Sequence, residues 1–147
     1  MIASWLAKRM VRSVFDKAGA KGDAEGGLAG MAEDCVYDPG VEVPTGETLR
    51  GKKAVLEWYR KWYEQFPQRK LSLKNIAFAA WPLMPTNLWM VEWTCEETDK
   101  KGNVFKYDGT TVLEMKNGKG IRSTEFIACK GLPQLSNLIK PTGKAKE

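Results

Sequence analysis

Proton-moving chemistry in this chain has few residues to choose from, because the sequence contains no histidine. No Ser-His-Asp or Cys-His pair can form and no His-ligated metal site can be built, so acid–base work near neutral pH falls to a carboxylate of raised pKa, to tyrosine or to lysine. The carboxylates that stand out are Asp38 directly ahead of Pro39, and Glu92 and Glu125 within apolar runs. Each has a plain alternative: Asp before Pro often caps a turn, and a mid-strand Glu often faces solvent on an antiparallel sheet. Tyr59 lies on an aromatic helical stripe, where a core role is the plain reading. Cys35, Cys95 and Cys129 are widely spaced, form no C-x-x-C pair and sit in or beside apolar runs, which reads as small buried thiols kept reduced.

The elements that must position these residues follow from periodicity. From Gly51 to Phe66, Val55, Trp58, Tyr59, Trp62 and Phe66 recur at three- and four-residue steps, while Lys53, Glu57, Arg60, Lys61 and Glu64 fill the other side. That amphipathic helix needs a large flat partner, and the second half of the chain offers strands. Ala3 to Ala18 reads as a first helix with Trp5, Leu6, Ala7, Met10, Val11, Val14 and Phe15 on its apolar side, stopped by Gly19 and Gly22. Asp23 is placed to cap a short second helix through Met31, weakened by Gly26, Gly27 and Gly30. Glu33 to Tyr37 reads as a short strand with Cys35 and Tyr37 on one face, and Thr45-Gly46 lies in the loop after it. Leu71 to Ala80 reads as a strand with Leu71, Leu73, Ala77 and Ala79 together. Leu88 to Thr98 alternates with Trp89, Val91, Trp93 and Cys95 on one face, and Val104 to Met115 with Phe105, Tyr107, Thr111 and Leu113, with Gly109 at an expected bulge. Ile121 to Cys129 is the last strand. Lys100–Asn103 and Lys116–Lys119 are hairpin turns, and Leu132, Leu135, Leu138 and Ile139 suggest a closing helix.

The whole is an α+β domain spanning residues 1–135, followed by a basic tail at 136–147. The formal charge is +5, but Lys130, Lys140, Lys144 and Lys146 concentrate the excess at the end of the chain. No RNP, zinc-finger or helix-turn-helix signature accompanies it, so no nucleic-acid partner is expected. No apolar run is long enough to span a membrane. Lys8, Arg9 and Arg12 ahead of the first acid, Asp16, would suit an organelle-targeting peptide or a basic first helix of the domain, and the helix is the reading taken; the uninterrupted apolar core of a secretory signal is missing, and the chain reads as cytoplasmic.

The element order, with Glu33-Asp34, Asp38-Pro39, Gly51-x-x-Ala54-Val55-x-x-Trp58-Tyr59 and the Asn117-Gly118-Lys119 hairpin, resembles the nuclear transport factor 2-like superfamily. The resemblance is greatest to its branch of ketosteroid isomerases and SnoaL-like polyketide cyclases, over roughly residues 3 to 135. It implies a cone-shaped, curved antiparallel (mixed) sheet packed on three N-terminal helices around an internal hydrophobic pocket. Asp38 is similar to the Asp-Pro general base of the isomerases, and Tyr59 to the tyrosine on their long helix. Phe15 stands where their principal donor Tyr lies, Thr110 or Thr111 near their second donor, and Ala128 where the cyclases carry an Asp. An inward Glu125 could supply that missing carboxylate. The resemblance thus implies acid–base catalysis of isomerase, cyclase or lyase type on a hydrophobic small molecule, without metal or other cofactor. Asp38 and Tyr59 would be catalytic, and Phe15, Trp58, Trp62, Trp93, Thr111 and Phe126 would line the pocket. The alternative is a non-catalytic ligand-binding or assembly module. A homodimer through the outer sheet face is also implied, with Trp89 or Trp93 as contacts.

Overall fold

The computed structural model describes residues 2–39 and 48–128. The Thr45-Gly46 loop, Cys129, the closing helix and the basic tail expected above lie outside the described residues. Helix α1 (Ile2–Phe15) runs into a π-helical segment (Asp16–Ala20), followed by α2 (Ala24–Gly27), β1 (Met31–Asp38), β2 (Leu49–Arg50), α3 (Lys52–Gln65) and four long strands, β3 (Gln68–Phe78), β4 (Thr86–Thr98), β5 (Val104–Lys116) and β6 (Lys119–Ala128). The strand order in the sheet is β2-β1-β6-β5-β4-β3. Among the described residues only β1 and β6 pair in parallel, so the fold is the α+β arrangement of a mixed sheet wrapped on helices.

The long helix forms where its stripe predicts. Gly51 enters it at φ +86°, a left-handed value that suits glycine, and its N–H donates to the Cys35 carbonyl at 2.8 Å, tying the helix start to β1. Phe66-Pro67 ends it, since a residue before proline avoids the helical region. The Arg69 side chain then caps it, Nη2 donating to the Phe66 and Tyr63 carbonyls at 2.5 and 3.3 Å. Helix α2 is shorter than expected: Asp23 accepts from the Gly26 N–H at 2.8 Å, but the chain leaves the helix after Gly27 and Met31 already begins β1. In α1 only Ala7 and Val11 are buried; Trp5, Leu6 and Met10 remain exposed, because the apolar arc is wider than the surface it covers.

Two strand expectations change. Pairing between β3 and β4 shifts register between Leu73 and Asn75, so a bulge at Lys74 turns Ile76 and Phe78, not Ala77 and Ala79, toward the core. Gly109 is not bulged; it pairs in continuous register with Trp93. A Cβ there would come within 2.4 Å of the Trp93 indole, so the glycine makes room for that ring to lie across β5. The Asn117-Gly118 turn takes the positive φ values (49° and 77°) of a tight hairpin. Trp89 and Trp93 are buried on the concave side, so neither can serve the expected dimer contact on the outer face.

Candidate functional site

The concave face and the helices do not close on each other. They leave a cavity of about 230 Å³ with an overwhelmingly apolar lining. Phe15 and Val11 of α1, Trp58, Tyr59 and Trp62 of α3, and Trp93, Thr111 and Glu125 of the sheet all border it. The sheet register explains this set. Side chains alternate faces along a strand, so buried Val91, Trp93 and Cys95 share β4's inner side, Tyr107, Gly109 and Thr111 share β5's, and Ser123 and Glu125 share β6's.

Glu125 is only 7% exposed and pairs directly across β5–β6 with Thr111. Trp93 Nε1 donates to Thr111 Oγ1 at 2.8 Å, and Thr111 Oγ1 lies 2.7 Å from Glu125 Oε2. An indole nitrogen can only donate, so the hydroxyl must accept from it and direct its own proton at the carboxylate. Burial pushes the Glu125 carboxyl up to about 7, against the hydrogen bonds from Thr111 and Ser123, which pull it down. The group is therefore poised to exchange a proton near neutral pH.

Facing it are two phenols. Tyr37 of β1 and Tyr59 of α3 are hydrogen-bonded to each other with ring centroids 5.4 Å apart. Burial, with the Glu125 charge adding to it, holds both well above the ordinary tyrosine value, so both are neutral donors. One shared bond uses one hydroxyl proton and leaves the other for a ligand.

A second polar cluster lies farther along the sheet. Glu97 accepts from Trp62 Nε1 at 2.8 Å and from Tyr107 Oη at 2.5 Å, and stands 3.9 Å from Arg69 Nε. Arg69 stacks over Tyr63, its guanidinium 3.8 Å from the ring centroid. Burial raises the Glu97 carboxyl, while Tyr107, Trp62 and Arg69 lower it.

Of the residues expected from the sequence, Phe15, Trp58, Tyr59, Trp62, Trp93 and Thr111 all line the cavity. Phe126 does not: it is 59% exposed on the outer face, one step out of phase with Glu125, which corrects its expected place in the pocket. Asp38, expected as the base, is likewise not among the lining residues. Tyr37 before it is buried facing inward, and Asp38 pairs in register with Thr124 on the other face of the sheet. Tyr37, Ser123, Glu97, Tyr107 and Arg69 were not anticipated. Glu97 could have been, since it continues the Trp89–Cys95 alternation by one step. Among the described residues no His, Cys, Asp or Glu side chains gather as metal ligands would, and no helix is long and apolar enough to cross a membrane.

Residues 11–122 match the SnoaL-like domain family, and the chain belongs to that family. No curated protein matches the chain in sequence. Solved structures share the fold at low identity. An NTF2-like protein of unknown function from Burkholderia pseudomallei is 17% identical over 90% of this chain and 95% of its own, with a TM-score of 0.72. A candidate SnoaL-like polyketide cyclase from Jannaschia is 12% identical over 81% and 83%, with a TM-score of 0.66. TerC, co-crystallised with polyporic acid, is 17% identical over 88% and 96%, with a TM-score of 0.69. The expected superfamily and cone fold are borne out.

Proposed function

We propose that this chain is a cofactor-independent acid–base catalyst of isomerase, cyclase or lyase type, with Glu125 as the group that takes and returns the proton. The observation that carries the reading is a carboxyl buried in an apolar cavity, held by Thr111 and Ser123, with its pKa near 7. The substrate class that suits it is a hydrophobic small molecule with an enolisable carbonyl. The Glu125 carboxylate accepts the proton from the carbon beside the carbonyl. The electron pair of that C–H bond passes to the carbonyl oxygen, giving an enolate, and the carboxylic acid returns the proton to this or a conjugated carbon. Tyr59, paired with Tyr37 in the cavity, supplies a neutral hydroxyl to the ligand. That a structural neighbour was co-crystallised with polyporic acid is in keeping with a small oxygenated ligand here.

Exchange of the α-protons of 1-tetralone into deuterated buffer, followed by NMR, tests this directly. Glu125→Gln should slow the protein-dependent exchange by about 100-fold or more. Equal rates in the two proteins would reject Glu125 as the base.

A homodimer through the outer sheet face is part of the same proposal. Met90 and Phe126 are exposed there on β4 and β6, one on either side of β5, as large apolar side chains at an unburied centre suggest. This face also supports the second reading, an assembly module in which the cavity binds without turnover.

A further inference from the structure

The cavity opens at one end of the molecule. Of the residues that line it, Met10, Gly30 and Gly118 are the exposed ones. Gly30 and Gly118 meet at the β5–β6 hairpin, where the Gly120 N–H donates to the Gly30 carbonyl at 3.0 Å. The same hairpin holds the β3–β4 connection, the Asn117 N–H donating to the Pro85 carbonyl at 2.7 Å. Helix α1 brings Met10 to the third side. It packs on β3 and leads into the π-helical segment whose Gly19 rests on Leu71, so its first turns lie toward the opposite end of β3, beside that connection.

The rim of this mouth is apolar and basic. Trp81, Leu83 and Met84 of the β3–β4 connection are each more than half exposed, yet the connection is pinned. Buried Asn87 accepts from the Ala80 N–H at 3.0 Å and donates to the Ala80 and Trp81 carbonyls at 3.1 and 2.9 Å. On α1, Trp5 and Leu6 are exposed, with the Arg9 guanidinium 5.4 Å from the Trp5 ring. Residues 2–15, 27–32, 79–91 and 115–121 supply Lys8, Arg9, Arg12, Lys116 and Lys119 and no Asp or Glu. Glu33, just beyond them, is paired with Lys52 at 3.3 Å, and Glu92 and Glu114 alternate onto the outer sheet face.

We propose that this end docks on the surface of an anionic phospholipid bilayer. Trp5, Leu6, Trp81 and Leu83 enter the boundary between headgroups and acyl chains, and the five cations meet the lipid phosphates. Tryptophan favours that boundary, and Lys and Arg lay their stems along apolar surface while their charged ends stay in the polar layer. Apolar anchors ringed by cations combine the two forces that bind a protein to a charged lipid surface. Charge argues against other occupants. A second copy of the same end would set cations against cations, and the segment 136–147 is itself basic through Lys140, Lys144 and Lys146. An acidic protein would neutralise the cations and leave the apolar tip without a partner. The contact is peripheral, since no described helix can cross a membrane. Docked in this way, the mouth admits a hydrophobic ligand from the bilayer without a passage through water, whether or not Glu125 then acts on it.

Flotation with vesicles tests the proposal. The wild type should bind vesicles of phosphatidylcholine with about one-third phosphatidylglycerol at least about tenfold more tightly than phosphatidylcholine alone, and salt should weaken that binding. The paired changes Lys116→Ala with Lys119→Ala, and Trp81→Ser with Leu83→Ser, should each weaken it by about tenfold. Lys100→Ala with Lys101→Ala, at the opposite hairpin, should leave it within about twofold. An equal loss in the two lysine pairs would mean general attraction of a basic protein and overturns the proposal. So does a loss confined to Lys144→Ala with Lys146→Ala, which would put the contact in the tail. Should a variant fail to fold, the wild type still decides. Its tryptophan emission should be quenched by phosphatidylglycerol brominated on the acyl chains; binding without quenching overturns the insertion, and binding to neither vesicle overturns the whole. Capture of polyglutamate with no binding to vesicles would overturn it in favour of an acidic protein partner.

Discussion

Thr111 directs its hydroxyl proton at Glu125 because Trp93 occupies its acceptor side: the indole nitrogen lies 2.8 Å from Thr111 Oγ1, and Glu125 Oε2 lies 2.7 Å beyond. The polarity of this chain is set by a side chain two strands away from the carboxylate it serves. Replacing Thr111 with Val removes the donor that lowers the Glu125 pKa and strands the Trp93 N–H. The expected result is a pH–rate profile displaced toward higher pH and a loss of about 1–3 kcal/mol in stability, read by exchange kinetics and chemical denaturation.

Gly109 acts one step further out. Its missing side chain gives the Trp93 indole the space to reach Thr111. Gly109→Ala should displace that ring and destabilise the fold by about 1–3 kcal/mol. It should also carry the same upward displacement of the pH profile as Thr111→Val, whereas a substitution that merely loosened the fold would leave the profile in place.

Stability should itself depend on Glu125. Its folded-state value of about 7 lies above the ordinary 4.5, so the folded protein binds the extra proton between those limits. The favourable contribution is therefore fully present below pH 4.5 and is lost as pH rises through 7, by about 3 kcal/mol in all. Denaturant midpoints measured across that range should fall for the wild type and fall less for Glu125→Gln.

Asp38→Asn should leave turnover within about twofold of wild type, since Asp38 is not among the residues lining the cavity. A loss comparable to that of Glu125→Gln, in kcat measured at saturating ketone, would move the base back to β1.

The contrast between Asp38 and Glu125 shows how far the sequence could be read. The aromatic stripe of α3, the two hairpins and the β4 alternation are strong periodic signals, and they delivered the fold and most of the cavity wall. In β6 the signal is ambiguous: Ser123, Glu125 and Ile127 alternate with Thr124, Phe126 and Ala128, and hydrophobicity alone favours turning Phe126 inward. Pairing with β5 sets the opposite phase, placing Glu125 beside Thr111. On β1 the phase is legible, because an inward Tyr37 requires Asp38 to point away, whatever the Asp-Pro pair resembles. The bulge at Lys74 and the space above Gly109 have no local signature, since both arise from how neighbouring strands meet.

The most direct measurement is a pH titration of the Glu125 side-chain carboxyl by carbon-13 NMR, assigned by comparison with Glu125→Gln. The midpoint should lie near 7 and rise in Thr111→Val. A midpoint near 4.5, unchanged in that variant, would mean the carboxylate is solvated rather than held in the cavity, and would remove Glu125 as the base.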